Sequence, residues 1–407
     1  MSHFFKVKSL EAVMALRDEF TALEPEKVPV QDALHRTLAE DVTAPADMPG
    51  FRRATMDGFA LAAPSSFGAS ESNPAWLAVQ DTIPMGVVPE FTLAPGSSAR
   101  ISTGGMLPEG ADAVVMVEHT QAVDEDSVEV YKSVAPLQNV IDRDEDFAKD
   151  QVVLTQGTRI RPQEAGLIAG MGISEVAVHR IPKVGIISTG DEIIPIDARP
   201  RPGQIRDINS YTLAGLIQAA GGEAVRYGIV PDDPAALEAA CKQALAETDM
   251  VLLSGGSSVG TRDFTVEVLS ELPDTEILVH GISISPGKPT ILARSGSTPV
   301  WGLPGQVVSA MVVLQVVVIP FLNTLQGTRS RSAVRVRARL SRNVASAQGR
   351  RDFVRVMLES GEDGMIAKPV LGKSGLIRTM VHADGLLEIG DHVEGLEKDS
   401  PVDILLL

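Results

Sequence analysis

The sequence predicts a multidomain α/β plus β protein, in which a three-layer α/β domain is joined to β-rich parts. Three observations predict this fold class. The chain has 407 residues and is too long for a single hydrophobic core, so two to four domains are expected. Residues 183–326 alternate strand-like and helix-like runs. Residues from about 49 to 140, and from about 329 to 407, instead contain short β-rich runs between Gly and Pro turns.

The alternating region predicts a mainly parallel sheet covered by helices. Its predicted elements, in order, are the strand KVGIIST, a helix over 208–220 that stops at Gly221-Gly222, the strand AVRYGIV, a helix over 234–247, the strand DMVLLSGG, a helix over 263–272, and the strands TEILVHG and PVWGLPG. Ligands of such sheets bind beyond the carboxyl ends of the strands, so the loops at those ends are the first candidates for a site.

The flanking regions mix helices and strands. Residues 9–20 have helical spacing, with Ser9 as a possible cap, and a second short helix is expected near 30–38. Residues 162–170 are helix-like, and EVAVHR after them is strand-like. In the tail, VRVRARL alternates strictly and Gly361–Gly364 marks a hairpin, which fits a small all-β barrel or a sandwich.

Charge and composition restrict the partners. Lys and Arg number 36 against 53 Asp and Glu, a net charge of −17, so most of the surface repels nucleic acid. Aromatic residues make up only 4%, which argues against binding of single strands by base stacking. Small anions remain possible ligands where backbone N–H groups, Lys or Arg oppose the overall field.

The single cysteine and the apolar segments argue for a cytoplasmic protein. Cys241 excludes an internal disulfide and a Cys-built zinc site; within a helical pattern it fits a buried inert thiol better than a nucleophile. We expect no signal peptide at the N-terminus. The apolar run Val307–Leu322 contains Gln315 and Pro320 and lacks charged anchors, so a buried helix is expected rather than a membrane span.

Three Gly-containing turns follow predicted strands and suit an oxyanion. They are residues 188–192 (STGDE), 254–260 (SGGSSVG) and 302–305 (GLPG). Each alone is better explained as a tight strand-to-helix turn. Three in one α/β domain, all at predicted strand ends, favour a shared site.

Carboxylates accompany these turns, and a set of them at one sheet edge is suited to Mg²⁺ beside a phosphate. The set is Asp191, Glu192, Asp232, Asp233 and Asp263. Asp233 fits a helix cap better, Asp263 also fits a cap, and Glu192 has no evident structural role.

Lys288 is held in the turn Ser285-Pro286-Gly287-Lys288-Pro289-Thr290, where it could meet a phosphate. A lone lysine is usually only solvated, but two prolines and a glycine specify its position. In the β-rich region, Asp57-Gly58 and Thr103-Gly104-Gly105 look by themselves like hairpin turns.

Taken together, the motifs resemble the molybdopterin molybdenumtransferase family, which includes the C-terminal domain of gephyrin. The matching segments run nearly end to end and in the family's order: ALHRTLAEDVTAP, TMDGFAL, RISTGGMLPEGADAVVMVE, DRDEDF, IISTGDEI, GQIRDINSYTL, GIVPDDPAAL, LLSGGSSVGTRDFT, ISPGKPT, WGLPGQVVSA, GRRDFVRVML and HADGLLEI. Any one of them would be weak, but so many in order make chance similarity very unlikely.

The resemblance implies four domains and an elongated homodimer. They are a mixed linker domain (1–48 and 141–180), an inserted β-rich domain (49–140), an α/β molybdopterin-binding domain (181–327) and a C-terminal β-barrel (328–407). The active cleft is expected between the α/β domain of one subunit and the inserted domain of the other. No nucleic acid or membrane partner is expected.

The activity implied is insertion of molybdenum from molybdate into adenylylated molybdopterin, with release of AMP and with Mg²⁺ as cofactor. Carried over position by position, the catalytic residues would be Asp57, Thr103, Asp146, Glu192, Asp232, Asp263 and Pro304. Residues that bind the substrate would be Ser254, Gly255, Gly256, Ser257 and Lys288. Glu192, Asp232 and Asp263 would hold the metal.

Two departures from the family pattern keep an alternative open. Gln306 and Val307 stand where the family commonly has Asn and Pro, and Ser285 stands where a basic residue often precedes P-G-K-P. The alternative is a non-catalytic or tungstate-preferring paralogue that acts as a pterin-binding or scaffold protein. A further rival is the preceding step, adenylylation of molybdopterin, which the α/β domain alone would fit.

Overall fold

The chain forms two compact units. The computed structural model describes residues 7–255, 261–329 and 334–407, without the side chains of 261–264. The first unit comprises Met1–Glu40, Gly157–Ala165 and Glu175–Leu407, and the second comprises Asp41–Gln156 and Gly166–Ser174. The boundaries of the four expected domains stay a prediction.

A six-stranded sheet organises the second unit. In chain order its strands are β1 (Gly58–Leu61), β2 (Ala75–Ile83), β3 (Ser97–Ile101), β4 (Ala113–Met116), β5 (Thr120–Ala122) and β6 (Ser127–Val130). They lie side by side in the order β4-β1-β3-β2-β6-β5. In β1, Phe59 and Leu61 pack into one apolar cluster and Ala60 into another. Because successive side chains of a strand point to opposite faces, this sheet is buried on both sides.

The α/β domain lies in the first unit and is built on a second six-stranded sheet. Its strands are β7 (Lys183–Thr189), β8 (Glu223–Val230), β9 (Met250–Gly255), β10 (Thr275–His280), β11 (Ile291–Ser295) and β12 (Thr298–Leu303). Their order is β8-β7-β9-β12-β11-β10. The first four are parallel, and β11 and β10 complete the sheet antiparallel. The predicted mainly parallel sheet is confirmed.

Helices cover both faces of this sheet. Ile186 and Leu252 pack into one cluster, and their sequence neighbours Ile187 and Leu253 pack into the other. The helices after β7, β8 and β9 are Asn209–Ala219, Pro234–Glu247 and Thr261–Glu271. Two apolar layers on one sheet give the three-layer arrangement that the alternation of elements predicts.

The apolar run after β12 forms one long helix. It comprises α-helix Val307–Val313, a π-helical turn Leu314–Val318 and α-helix Ile319–Leu325. The π turn lies just before Pro320, whose ring lacks an N–H and displaces the usual hydrogen-bond pattern. By length and composition the helix could cross a membrane, but 61% of its most apolar window is buried. Phe321 packs edge-on against Trp301 with ring centroids 5.0 Å apart.

A closed barrel ends the chain. Its strands are β13 (Arg335–Leu340), β14 (Arg351–Gly361), β15 (Gly364–Pro369), β16 (Gly385–Ile389) and β17 (Pro401–Leu406). The pairings run β13-β15-β14-β16-β17 and return to β13, so the sheet closes on itself. Because the sheet is closed, this region is a barrel and not a sandwich. The predicted hairpin at Gly361–Gly364 joins β14 to β15.

One short prediction is wrong. The segment 30–38 contains only the 3₁₀ turn Val30–Asp32, because its backbone bonds to other segments: Leu38 bridges Val178, and Thr37 bridges Arg159. The other short predicted elements are confirmed. Residues Leu10–Ala15 form a helix that continues in the 3₁₀ turn Leu16–Glu19, and Pro162–Gly170 form a second helix. The strand Glu175–His179 pairs with Pro25–Pro29.

The remaining strands are two or three residues long: Val42–Thr43, Arg53–Ala54, Val140–Ile141, Val152–Leu154, Ile193–Ile194, Ile205–Arg206, Ile284–Ser285, Val344–Ala345 and Gly395–Leu396.

Candidate active site

The carboxyl ends of four parallel strands meet at one edge of the α/β sheet. Thr189 of β7 lies opposite Val230 of β8 and Gly255 of β9, and Ser254 lies opposite Leu303 of β12. The three glycine turns found in the sequence therefore leave the same edge. Long-range strand pairing brings together segments that lie more than a hundred residues apart.

Hydrogen bonds hold two aspartates at the ends of β7 and β8. The Thr189 hydroxyl donates to Oδ1 of Asp232 at 2.8 Å, and the backbone N–H of Asp232 donates to Oδ1 of Asp191 at 3.1 Å. Glu192 is exposed in the next position of the same turn. Asp263 belongs to the helix Thr261–Glu271, but its side chain lies outside the described residues. Sequence reasoning overlooked Thr189, which fixes Asp232 from inside the strand.

Gly255 occupies a position that only glycine can take. Its φ is +136°, and a Cβ built there would lie 1.8 Å from the carbonyl oxygen of Thr189. The strand β9 can thus run close beside β7 to its last residue. Gly256 and Ser257, predicted to cradle phosphate, lie outside the described residues, so that role stays a prediction.

A buried asparagine ties the glycine turns to one another. The Nδ2 atom of Asn209 donates to Oγ of Ser254 at 2.7 Å and to the carbonyl oxygen of Gly305 at 2.9 Å. Asn209 and Ser254 are 9% and 1% exposed, so the bond between them is buried, whereas the bond to Gly305 is partly buried. Asn209 therefore sets the spacing between the end of β9 and the turn after β12, a role that no local pattern suggested.

Gln306 and Val307, which depart from the family pattern, lie at the start of the long helix after β12. Pro304 is buried directly after β12, and Gln306 stands exposed at the N-cap of the long helix. Val307 is the first helical residue and packs into the main core at 5% exposure.

Lys288 lines a pocket of about 840 Å³ at the same end of the sheet. Because Ile291 of β11 lies opposite Gly302 of β12, the turn just before β11 emerges beside the turn after β12. The pocket is also lined by Arg350, by Asp391 and by five serines, Ser9, Ser283, Ser285, Ser309 and Ser374. Two cationic side chains and several hydroxyls are suited to a small oxyanion, and Asp391 offsets part of the positive charge.

Pairing with the barrel explains how Arg350 reaches this pocket. Ile284 and Ser285 lie opposite Arg351 and Asp352 in a short parallel pairing, which carries Arg350 to the side of the Lys288 turn. Arg350 also forms an ion pair with Asp352 at 3.0 Å. Where the family pattern has a further basic residue before the turn, the chain has Ser285, and the second cationic side chain of the pocket is Arg350, whose charge is partly balanced by Asp352.

In the second unit, Asp57 and Thr103 are joined by two hydrogen bonds. Gly58 of β1 lies opposite Ile101 of β3, so the residues just outside these strands meet. Oδ1 of Asp57 accepts from the N–H of Thr103 at 2.6 Å and from its hydroxyl at 2.9 Å. These bonds, the backbone one first, hold the pKa of Asp57 below its usual range, so the carboxylate is ionised at neutral pH.

Asp146 is exposed on a loop of the second unit. Its backbone N–H donates to the carbonyl of Met48 at 3.1 Å. Nothing in this arrangement assigns its carboxylate a partner, so its catalytic role stays a prediction.

The carboxylates at the sheet edge are chemically suited to bind a hard cation. Asp191 and Asp232 are linked, and carboxylate oxygens are the ligands that Mg²⁺ prefers. Among the described side chains, however, no three His, Cys, Asp or Glu lie close enough together to hold a metal ion. A third carboxylate, such as Asp263, would be needed.

Cys241 is the buried inert thiol that the sequence predicts. It is 0% exposed in the layer under the helix Pro234–Glu247. Burial, with a smaller contribution from Glu238, raises its pKa to about 12, so it carries no nucleophilic thiolate at neutral pH.

Comparison with known proteins covers almost the whole chain. Three family models match: the MoeA N-terminal region (domain I and II) over residues 7–172, a probable molybdopterin binding domain over 185–324, and the MoeA C-terminal region (domain IV) over 337–407. A crystal structure of a molybdopterin biosynthesis MoeA protein from Pyrococcus horikoshii superimposes with a TM-score of 0.86 at 33% identity, covering 99% of this chain and 100% of that one.

Curated relatives agree with these matches. A Methanocaldococcus jannaschii protein named for molybdopterin biosynthesis is 40% identical over 390 residues, covering 94% of this chain and 92% of the relative. The molybdopterin molybdenumtransferase of Bacillus subtilis is 33% identical over 388 residues, covering 94% and 90%. That of Haemophilus influenzae is 33% identical over 366 residues, covering 86% of each. The chain therefore belongs to the MoeA family of molybdopterin molybdenumtransferases, enzymes of molybdenum cofactor biosynthesis.

Proposed function

We propose that this protein inserts molybdenum from molybdate into adenylylated molybdopterin and releases AMP. The observation that carries the proposal is the pocket of Lys288 and Arg350, which opens at the same strand ends as the glycine turn of β9 and the Asp191–Asp232 pair. A tetrahedral oxyanion and a phosphoanhydride can thus be held side by side.

The acidic half of the edge would act on the anhydride. The turn Ser254–Ser257 would cradle phosphate through backbone N–H groups. Glu192, Asp232 and Asp263 would hold Mg²⁺, which neutralises negative charge as the phosphoanhydride breaks. Thr189 keeps Asp232 oriented, and the buried Pro304 would support the turn after β12.

The basic half would hold molybdate. Lys288 and Arg350 offset its charge, and the hydroxyls of Ser285, Ser309 and Ser374 can donate to its oxygens.

The overall reaction balances without an added reductant. Two thiolate sulfurs of the pterin bind molybdenum, and one oxide leaves it. Cleavage of one phosphorus–oxygen bond in the anhydride consumes one oxide, which yields AMP and the phosphate monoester of the pterin. Molybdenum keeps its oxidation state, so the protein needs to supply position and charge rather than electrons.

The second unit would complete the site in a homodimer. Asp57, ionised and held by Thr103, and Asp146 would approach the sheet edge of a second copy. This arrangement, Mg²⁺ dependence and a cytoplasmic location are parts of the proposal.

The deciding assay uses purified full-length protein with adenylylated molybdopterin, molybdate and Mg²⁺. AMP release together with active cofactor supports the proposal. Binding without AMP release would indicate a scaffold, and faster turnover with tungstate would indicate a tungstate-preferring enzyme. Glu192→Ala should abolish most AMP release while the protein stays folded; unchanged cofactor synthesis would remove Glu192 from the mechanism.

A further inference from the structure

Thr189, the last residue of β7, is fixed in the interior of the α/β sheet. Its backbone lies opposite Val230 of β8 on one side and Gly255 of β9 on the other, and the residue is 3% exposed. Threonine is branched at Cβ, which restricts its χ1 angle. Its Oγ1 atom is therefore held in place at the sheet edge more closely than the hydroxyl of a loop residue would be.

Asp232 is held from two directions. Its Oδ1 atom accepts from the Thr189 hydroxyl at 2.8 Å, and its backbone N–H donates to Oδ1 of Asp191 at 3.1 Å. The first bond orients the carboxylate, and the second fixes the main chain that carries it. The Oδ2 atom of Asp232 accepts no hydrogen bond from a described residue, so it is the oxygen left available to a ligand.

The neighbouring acid Glu192 takes a different position from Asp191. Its carboxylate folds back over Gly190, because a Cβ built on Gly190 would lie 3.0 Å from the Oε2 atom of Glu192. Gly190 directly follows Thr189, so the carboxylates of Glu192 and Asp232 both lie beside this two-residue segment. Asp191, by contrast, has one oxygen engaged by the main chain of Asp232.

Hydrogen bonds to the residues that bind a metal ion strongly affect its affinity. A carboxylate that can rotate loses that freedom when it binds a cation, which lowers the affinity. A hydrogen bond made beforehand removes this cost, and loss of such a bond typically lowers metal affinity about ten- to a hundredfold. The bonds around Asp232 have this form.

We propose that Thr189 and Asp191 are positioning residues that present the Oδ2 atom of Asp232 to a divalent cation, and that Asp191 is not itself a ligand of that cation. The inference rests on the proposed function for the role of the cation. It divides the acids of the edge into two kinds. Glu192 and Asp232 act on the cation, whereas Asp191 acts on Asp232.

The first test is titration of substrate-free, full-length protein with Mn²⁺, followed by the electron paramagnetic resonance signal of the free ion. Asp232→Ala identifies the site, because it should abolish binding there. Thr189→Val keeps the branched shape, removes the donor and should weaken Mn²⁺ binding about tenfold, and Thr189→Ser should restore it. As a control, Thr248→Val removes another buried hydroxyl, which donates to the carbonyl of Ala244 at 2.7 Å, and should leave Mn²⁺ binding unchanged.

Two substitutions of Asp191 separate support from coordination. Asp191→Asn removes the charge but keeps an oxygen that can accept from the N–H of Asp232, so the Mn²⁺ affinity should fall by less than about threefold. Asp191→Ala removes the acceptor and should weaken binding about tenfold. The Mg²⁺ concentration that gives half-maximal AMP release should follow the same pattern in all variants of Thr189 and Asp191, while kcat at saturating Mg²⁺ changes little.

Three results would overturn the inference. The first is unchanged Mn²⁺ affinity in Thr189→Val. The second is an equal loss in Asp191→Asn and Asp191→Ala, which would make Asp191 a ligand. The third is a native protein from which Asp232→Ala removes no bound Mn²⁺. Asp191 is exposed, so its two variants decide the question even if Thr189→Val does not fold.

The two proposals fail separately. If the protein releases AMP from adenylylated molybdopterin while Thr189→Val binds Mn²⁺ normally, only the positioning roles are wrong. If the Mn²⁺ affinities behave as expected but no AMP is released from that substrate, only the proposed reaction is wrong.

Discussion

The two halves of the α/β sheet edge differ in charge. Beyond β7 and β8 lie Asp191 and Asp232, joined by a bond from the backbone of Asp232 to the carboxylate of Asp191, with Glu192 in the same turn as Asp191. Beyond β12, and before β11, lie Lys288, several hydroxyls and, from the barrel region, Arg350 and Asp391. One half is suited to a cation and the other to an oxyanion, although the protein as a whole carries a net charge of −17.

Strand direction accounts for the difference. On the acidic side the parallel strands end at the edge, and the loop after β8 leads directly into the helix Pro234–Glu247, near whose N-terminus carboxylates are favoured. On the basic side β11 is antiparallel, so its preceding turn arrives at the edge with Lys288. A mixed sheet can therefore place opposite charges on one edge, and substitutions in the two halves should have separable effects.

The largest expected effect is from Asp232→Asn. Asparagine keeps an oxygen that accepts from Thr189 but removes the charge needed to hold Mg²⁺. Loss of part of this electrostatic stabilisation should lower the rate of AMP release about a hundredfold. The affinity for molybdate, measured by equilibrium dialysis, should not change. A normal rate at saturating Mg²⁺ would separate Asp232 from the reaction.

Lys288→Met should act on the other half alone. Methionine keeps the length of the side chain and removes the charge, so the KM for molybdate should rise about tenfold while kcat changes little. Initial rates of AMP release against molybdate concentration measure this. Lys373→Met, an exposed lysine outside the pocket lining, is the control. Equal effects of the two substitutions would mean that Lys288 contributes only general charge.

Which parts of this arrangement could be predicted depends on how far apart in the sequence the interacting residues lie. Strand ends, the cap at Asp233 and the glycine turns at 188–192 and 302–305 are set by neighbouring residues, and local patterns predicted them. The predicted helix over 30–38 failed because pairing of Leu38 with Val178 overrides local preference.

The groups that sequence reasoning missed act at long range. Asn209 acts through Ser254 and Gly305, and Arg350 reaches its pocket only through the pairing of Ser285 with Asp352. Such contacts depend on strand register, which spacing and composition do not encode. A buried amide or an arginine on a barrel strand has no local signal that distinguishes it from an ordinary structural residue.

Asn209→Ala should weaken the connection between the two halves. It removes one buried and one partly buried hydrogen bond and leaves the carbonyl of Gly305 without its Asn209 donor, so the free energy of unfolding should fall by about 2 kcal/mol. Urea unfolding measures the loss. Thr212→Ala, which removes a local bond in the same helix, should cost less. If Asn209→Ala were as stable as the native protein, the two halves would be held by other contacts.

The smallest expected effect is that of replacing Asp233, a helix-capping residue beside the proposed metal ligand Asp232. Asp233 follows Asp232 directly, yet its Oδ1 accepts from the N–H of Ala236 at 2.9 Å and caps the helix Pro234–Glu247. Asp233→Ala should therefore lower the free energy of unfolding by about 1 kcal/mol and leave AMP release unchanged, the reverse of Asp232→Asn. Asp233→Asn should restore the stability, because asparagine caps helices as well as aspartate does. A loss of AMP release in Asp233→Asn, with normal stability, would instead extend the acidic half by one residue, since only the charge differs.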